Sequence, residues 1–284
     1  MLKSFTTLYQ SPYNRKRPFF ALYRFIEWKL IRLFHIKNYR KKIWDNRHIY
    51  INYDSYHSMW LMYNWVVDWE EFNLIKSIGK QGGIAMDIGA NMGYYSIWMS
   101  GYYDMVHSFE PNNENHQRLT ANISTNDIRN IIPNKSGIGS YTGNAYFTKN
   151  KDAENHLVVT DNGEEKEMIT LDTVDNYCKA NNVNHIDYLK IDVEGFEYDV
   201  LLGAEKMLRE KKINILQLEI NRSLKFSGKT PDALEKLLEE HGYSLASFDV
   251  EKCVLKPVSF NEGRENYFAV YAIDQMNQIL GKTL

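Results

Sequence analysis

The stretch Ala85–Ser96, AMDIGANMGYYS, decides how the rest of the chain is read. It continues a short apolar run (Ile84, Ala85, Met86, Ile88) and opens into residues at helical spacing (Tyr95, Ile97, Trp98, Met99). The pattern predicts a strand, a tight glycine turn and a helix. Such a turn sets backbone N–H groups and a helix N-terminus at the end of a strand. Gly89 and Gly93 have no Cβ, so a ligand can come close to the backbone there. Asp87 adds an acceptor at the same place, with a turn cap as its plain alternative. A dinucleotide fingerprint needs G-x-G-x-x-G and a Walker loop needs a lysine after its last glycine. Here Ala90-Asn91-Met92 separates the glycines and Tyr94 follows, so neither is present. An acidic loop without phosphate-binding features suits a ligand with a cationic amino group, such as S-adenosyl-L-methionine.

About twenty residues beyond Gly89, where a βαβ unit brings its second strand end beside the glycine loop, comes Met105-Val-His-Ser-Phe-Glu-Pro111. Glu110 is placed to accept bonds from both ribose hydroxyls. Dehydrogenases share such an acid, so Glu110 alone fits a nicotinamide cofactor equally, and the glycine spacing decides between them. Pro111 ends the strand, and Asn112-Asn113-Glu114 starts a helix running to Ile123.

The third piece is His185-Ile-Asp-Tyr-Leu-Lys-Ile-Asp-Val-Glu-Gly195. With it, the chain resembles the FkbM-type S-adenosylmethionine-dependent methyltransferases. The matching motifs are Asp87–Ser96, Phe109–Asn112, Ile169–Asp172 and Leu189–Glu197, in the family's order, within roughly Trp69 to Asn221. The resemblance implies an α/β class I methyltransferase (Rossmann-like) fold. It would have a seven-stranded, mostly parallel sheet with helices on both faces, and would usually carry out O-methylation. It also places the adenine near the end of the third strand, Asn130–Lys135, which points to Asn134 through Gly137. The expected cofactor residues are therefore Asp87, Gly89, Ala90, Asn91, Gly93, Tyr94, Glu110, Pro111, Asn134 and Asp192.

Outward from these motifs, the chain divides into an N-terminal extension, 1–68, and a methyltransferase domain, 69–284. Of its 284 residues, 44% are hydrophobic and 25% charged, enough for a substantial core. The two cysteines, Cys178 and Cys253, match neither a disulfide framework nor a metal knuckle and read as plain thiols in a reducing compartment. Net charge is −2, but Arg15 to Lys42 holds ten Lys/Arg against Glu27 alone, so this stretch is +9 and the remainder −11. Within it Leu22, Ile26, Leu30 and Leu33 follow helical spacing, with Arg24, Glu27, Arg32 and His35 on another face. The run is too short and charged to span a bilayer and has no signal-cleavage pattern. Two readings stand: an interfacial helix on anionic lipid, or a helix packed on its own domain or on a second subunit in a homodimer. A nucleic-acid partner is disfavoured by the acidic body. A cytoplasmic protein follows, peripheral on the inner membrane face if the helix lies on lipid.

Residues 44–69 are rich in aromatics at strand-like and then helical spacing, read as core rather than a sugar-binding surface. Trp69–Ile78 reads as a helix. Lys149–Lys166 is polar and reads as an exposed loop, placed where a lid would be, with His156 solvated in it. Asp172 is expected to cap the helix Thr173–Ala180. On the strand Ile186–Val193, alternation puts Lys190, Asp192 and Glu194 on one side. Glu219 ends the next strand, Ile213–Ile220, beside Asp192. Tyr243–Val250 and Tyr267–Ile273 are the expected closing strands.

Methyl transfer to a hydroxyl needs alignment and an outlet for the proton, by a general base or a divalent metal. Asp192, Glu194, Glu219 and Lys190 are the expected catalytic residues, Lys190 as a base only if burial depresses its pKa. Nothing in the spacing identifies a metal. The predicted activity is O-methylation of a hydroxyl on a glycan or a lipid-linked glycan precursor. Alternative acceptors are a polyketide or peptide natural product, or a carboxylate. An NAD-dependent oxidoreductase and a non-catalytic cofactor-binding partner protein are the readings from other classes.

Overall fold

The computed structural model describes residues 12–66, 68–79, 82–149, 156–158, 163, 165–220, 222–260 and 264–281. The extension holds α1 (Pro12–Arg15), α2 (Pro18–Leu33), the hairpin β1 (Tyr39–Lys42) and β2 (His48–Ile51), and α3 (Tyr56–Asn64). Next comes α4 (Trp69–Gly79), then the alternating core: β3 (Ile84–Ile88), α5 (Tyr94–Met99), β4 (Met105–Phe109), α6 (Asn113–Thr125) and β5 (Ile131–Asn134). A small second sheet follows, β6 (Gly137–Ile138), β7 (Gly143–Thr148) and β8 (Lys166–Asp172), ordered β6-β8-β7. The chain then runs through α7 (Val174–Ala180), β9 (Ile186–Ile191), α8 (Glu197–Leu202), α9 (Glu205–Arg209), β10 (Ile213–Glu219) and α10 (Pro231–Glu240). It ends in β11 (Ser244–Asp249), β12 (Val254–Pro257), β13 (Asn266–Val270) and α11 (Ile273–Gly281).

The main sheet has the order β12-β11-β13-β10-β9-β3-β4-β5. The pairs from β5 to β10 are parallel, and β13 enters antiparallel between β10 and β11. This is the class I methyltransferase arrangement. All seven expected strands are present, and β12 is an eighth that the sequence reading lacked, hairpinned onto β11. Side chains alternate between two hydrophobic clusters, one per face of the sheet. Ile215 and Phe268 join α2 to α6 and α11 on one face, while Leu216 and Ala269 join α7 to α10 on the other.

The extension is part of this core. Trp44 packs edge-on against Phe72, Tyr94 and Trp98, with ring centroids 4.9–5.5 Å apart. Asn122 of α6 and Asn126 at its C-cap hold the hairpin: Asn122 Oδ1 accepts from the Tyr50 N–H (2.9 Å), and Asn126 exchanges bonds with both backbone groups of His48 (2.7 Å each). The helix α2 is a correction to the periodicity reading. Its buried face is Ala21, Arg24, Trp28 and Ile31, whereas Leu22, Ile26, Leu30 and Leu33 face outward. Trp28 supplies the large apolar surface, and Arg24 is accommodated because it donates to Asn14 Oδ1 and lies over the Phe20 and Trp65 rings.

Smaller expectations also shift. Thr173, not Asp172, caps α7, while Asp172 Oδ1 accepts from the Thr173 N–H and from Asn176. His156 is buried with its ring stacked on Phe226 (centroids 3.9 Å apart), so it is not solvated. Most of the 149–166 loop lies outside the described residues, and so does that part of its expected lid role. Both cysteines are buried free thiols. Among the described residues no helix is long and apolar enough to cross a membrane.

Candidate active site

A cavity of about 600 Å³ opens at the C-terminal ends of β3, β4, β9 and β10, the edge where ligands of open α/β sheets collect. The glycine turn forms one wall. Gly89 has φ +83° and Gly93 φ +88°, and Asn91 between them is also left-handed at +48°. The turn hangs from β4: the Gly89 and Ala90 N–H groups both donate to Phe109 O (3.0 and 2.9 Å). A Cβ on Gly89 would lie 1.8 Å from the Asp192 backbone oxygen, so this glycine lets β9 pass close beneath the turn. Asn122, which holds the hairpin, also donates to Met92 O (2.8 Å).

Glu110 stands at the end of β4 as expected. Its Oε2 accepts from the Asn91 N–H (2.8 Å) and its Oε1 from the Asn112 N–H (2.9 Å). Burial pushes this carboxyl up to about 7, although both backbone bonds pull it down. Gly89, Ala90, Asn91, Tyr94, Glu110 and Pro111 line the cavity. Gly93 stands at the N-cap of α5. Asp87 lies behind the wall, fully buried, with its Oδ2 accepting from Ser96 Oγ (2.6 Å) and its Oδ1 3.4 Å from Lys190 Nζ. Asn134 turns back to donate to Ser108 O and Ile132 O, and is absent from the cavity lining. The lining there is apolar instead: Ile138, Phe147, Leu157, Ile169 and Leu171, largely from the small sheet.

The opposite end is acidic. Lys190, Asp192, Glu194 and Glu219 all line this end, joined by Asp68 and Glu265. However, β9 stops at Ile191, short of the expected Val193, so the turn after it and not strand alternation places Asp192 and Glu194. Lys190 Nζ is 3.0 Å from Asp192 Oδ2 and lies over the Tyr95 ring. Burial alone would lower Lys190, but Asp192 and Asp87 outweigh it and hold the ammonium above its ordinary range. The depressed lysine that base catalysis would require is therefore not found. Burial works against ionised Asp192 too, yet Lys190 and a hydrogen bond from Glu219 overcome it and hold its carboxyl low. Glu194 sits in the turn after β9 with φ +52°, a turn tied down by Glu197 Oε1, which accepts from the Val193 and Gly195 N–H groups.

Sequence reasoning assigned no role here to Asp68, His57 or Glu265. Asp68 precedes α4 and accepts from Tyr95 OH (2.6 Å); Tyr95 in turn accepts from Gln217 (3.1 Å), which accepts from Tyr188. Burial pushes Asp68 above the usual carboxylate range despite the Tyr95 bond and Lys190. His57 lies 2.9 Å from Asn91 Nδ2, and Tyr56 and Trp60 of the same helix, expected in the core, line the cavity instead. Tyr95 belongs to the glycine-turn motif, whereas Asp68, His57, Tyr56 and Trp60 lie outside every motif. Their only sequence signal was the aromatic and polar content just ahead of α4. Among the described residues, no group of three or more His, Cys, Asp or Glu side chains could hold a metal ion.

The cavity fits S-adenosylmethionine by its own chemistry. It has an apolar slot at one end, a carboxylate with both oxygens already oriented beside a glycine turn, and carboxylates at the other end for a cationic amino group.

The curated hexuronic acid methyltransferase AglP of Haloferax volcanii is 29% identical over 171 residues. The match covers 59% of this chain and 66% of that protein, just under two thirds of its length. Solved structures with similar backbones include an rRNA methylase from Streptococcus thermophilus, with a TM-score of 0.42 and 12% identity over 70% of this chain and 91% of that one. The fibrillarin pre-rRNA processing protein of Methanococcus jannaschii scores 0.38 with 16% identity over 68% of each chain. Likeness at that level adds nothing to the strand order. The methyltransferase FkbM domain profile matches residues 87–245, from the aspartate before the glycine turn into β11 and more than half of the chain. By that match the chain belongs to the FkbM family of S-adenosylmethionine-dependent methyltransferases.

Proposed function

We propose that this methyltransferase forms a methyl ether on an uncharged sugar hydroxyl of a glycan or glycan precursor. The observation that carries the reading is the charge of the acceptor end. Asp68, Asp192, Glu194, Glu219 and Glu265 line it, and its lysine is already committed to Asp192 and Asp87. Carboxylates accept hydrogen bonds from sugar hydroxyls, and Tyr56 and Trp60 offer rings for a sugar face. A negatively charged acceptor would meet like charge there, with no uncommitted cation among the described lining residues. The AglP match supports a glycan substrate, and the acidic pocket favours a neutral sugar over a uronate.

Bound S-adenosylmethionine supplies an activated methyl and a good leaving group. Glu110 would accept from the ribose hydroxyls and Ile138, Ile169 and Leu171 would flank the adenine, with Asp192 facing the cationic amino group. Asp68 is the base we favour for the acceptor proton. A carboxyl raised by burial is better matched to that task than Asp192, which is held low by Lys190. Tyr95 keeps its own proton, because burial and then Asp68 raise it well above the ordinary phenol value, so it orients Asp68 as a donor. Lys190 positions Asp192, and Glu194 and Glu219 complete the polar rim.

The test is to incubate the chain with methyl-labelled cofactor and two acceptor panels, neutral and uronate-containing glycans, then treat the products with alkali. The expected product is label on the neutral panel that survives alkali, as an ether does. Label that alkali releases would identify a methyl ester, and label confined to uronates would identify a charged acceptor; either result would overturn the reading.

A further inference from the structure

We propose that the outward face of α2, with the basic residues bordering it, docks the protein on an anionic lipid bilayer. Phe19, Tyr23, Ile26, Leu30 and Leu33 recur at steps of three and four and so share one face of the helix. Phe19 is 87% exposed, and Leu33 and the following Phe34 are each 68% exposed. Side chains of this size seldom stand together in water without a partner.

The helix cannot turn this face inward. Trp28 and Ile31 are fixed in the core on the other side, Arg24 is bonded to Asn14, and Glu27 is bonded to Tyr39 and Lys41. An apolar face held outward in this way needs an external surface.

Charge selects the surface. The stretch Arg15 to Lys42 is +9, and Arg15, Lys16, Lys29, Arg32 and Lys42 are all exposed around the apolar residues. A second copy docked face to face would oppose two such charges. An anionic bilayer complements them while burying the aromatic and aliphatic side chains at the headgroup boundary. With sixteen residues, α2 is suited to lie in that boundary. It packs on α3, which supplies Tyr56 and Trp60 to the cavity, so the bilayer contact lies one helix away from the acceptor end. The docking does not rest on the choice of acceptor.

Cosedimentation of the full chain with phosphatidylcholine vesicles, with and without phosphatidylglycerol, tests the proposal. The expected result is binding to the anionic vesicles that weakens with salt. Ile26→Asp with Leu30→Asp should weaken it by more than about tenfold, since two apolar anchors leave the boundary. Lys29→Glu with Arg32→Glu should weaken it too, and both variants should keep the wild-type affinity for S-adenosylmethionine. Should the first pair disturb that affinity, Phe19→Asp, at the most exposed position, takes its place. Four results would overturn the proposal: no preference for anionic vesicles, binding indifferent to the apolar substitutions, a dimer in solution that those substitutions split, or binding only after residues 1–11 are removed.

Discussion

Lys190 Nζ lies 3.0 Å from Asp192 Oδ2 at the end of β9, its side chain almost fully enclosed and that of Asp192 little more than a quarter exposed. The same ammonium faces Asp87, which has no exposure at all. Lys190→Met therefore strands a buried carboxylate. It should cost about 3–5 kcal/mol in urea unfolding, the usual penalty for breaking a buried pair from one side. Adding Asp87→Asn should recover a substantial part of the loss; no recovery would mean that the lysine's role is in packing.

Asp68→Asn should lower kcat by about 10²–10⁴, the usual contribution of a positioned base, with little change in S-adenosylmethionine affinity measured by calorimetry. In the wild type, activity should rise with pH as Asp68 ionises, above the ordinary carboxylate range because burial holds its pKa up. The Tyr95 hydrogen bond favours the ionised form, so Tyr95→Phe should move that limb to higher pH. A pH profile unchanged in both variants would remove Asp68 as the base.

Glu71, buried in α4, sets a pH limit on stability. Burial, with Asp68 behind it, pushes its carboxyl up to about 8 from 4.5. The folded state thus keeps a proton that the unfolded chain releases above pH 4.5. The contribution of Glu71 to stability is fully present below that point and is lost as pH rises toward 8. Glu71→Gln removes the ionisation and should gain up to a few kcal/mol over wild type at about pH 9, because each pH unit separating the folded and unfolded ionisations is worth about 1.4 kcal/mol. At about pH 4, where both states hold the proton, the two proteins should differ little. Denaturant curves at both pH values decide it.

Gly89→Ala should abolish cofactor binding and destabilise the fold by several kcal/mol. The new methyl would meet backbone, not a flexible side chain, and its φ of +83° is strained for alanine. Calorimetry with a thermal melt reads both effects. A variant that still bound cofactor normally would show that the turn and β9 can separate.

The sequence showed the cofactor side and left the acceptor side dark, for a physical reason. The turn at Gly89 and the carboxylate of Glu110 are local: a backbone conformation and a strand end, each written in a few consecutive residues. Lys190 sits near the end of β9 and Asp192 just beyond it, so the family motif around them located both. Asp68 and His57 reach the cavity only because the extension folds back onto the sheet, and no spacing encodes that. Asn134 was placed from resemblance alone, and its side chain instead caps neighbouring strands. In α2 the leucine spacing marked one apolar face without saying what covers it, and Trp28 with Arg24 decided which face is buried. The extra strand β12 follows from a short hairpin whose polar residues hid it.

The asparagine clasp between hairpin and α6 has a consequence for the order in which the protein assembles. His48 and Tyr50 find their partners 78 and 72 residues later in the chain. During synthesis residues 39–51 leave the ribosome well before α6 exists to receive them. Contacts this distant also slow folding, since the loop must close before any bond forms. Until then the hairpin is not clasped, and the nascent chain carries an apolar, positively charged segment in need of cover. Early chaperone engagement of this segment is the price of a clasp that is made before its partner and seated after it.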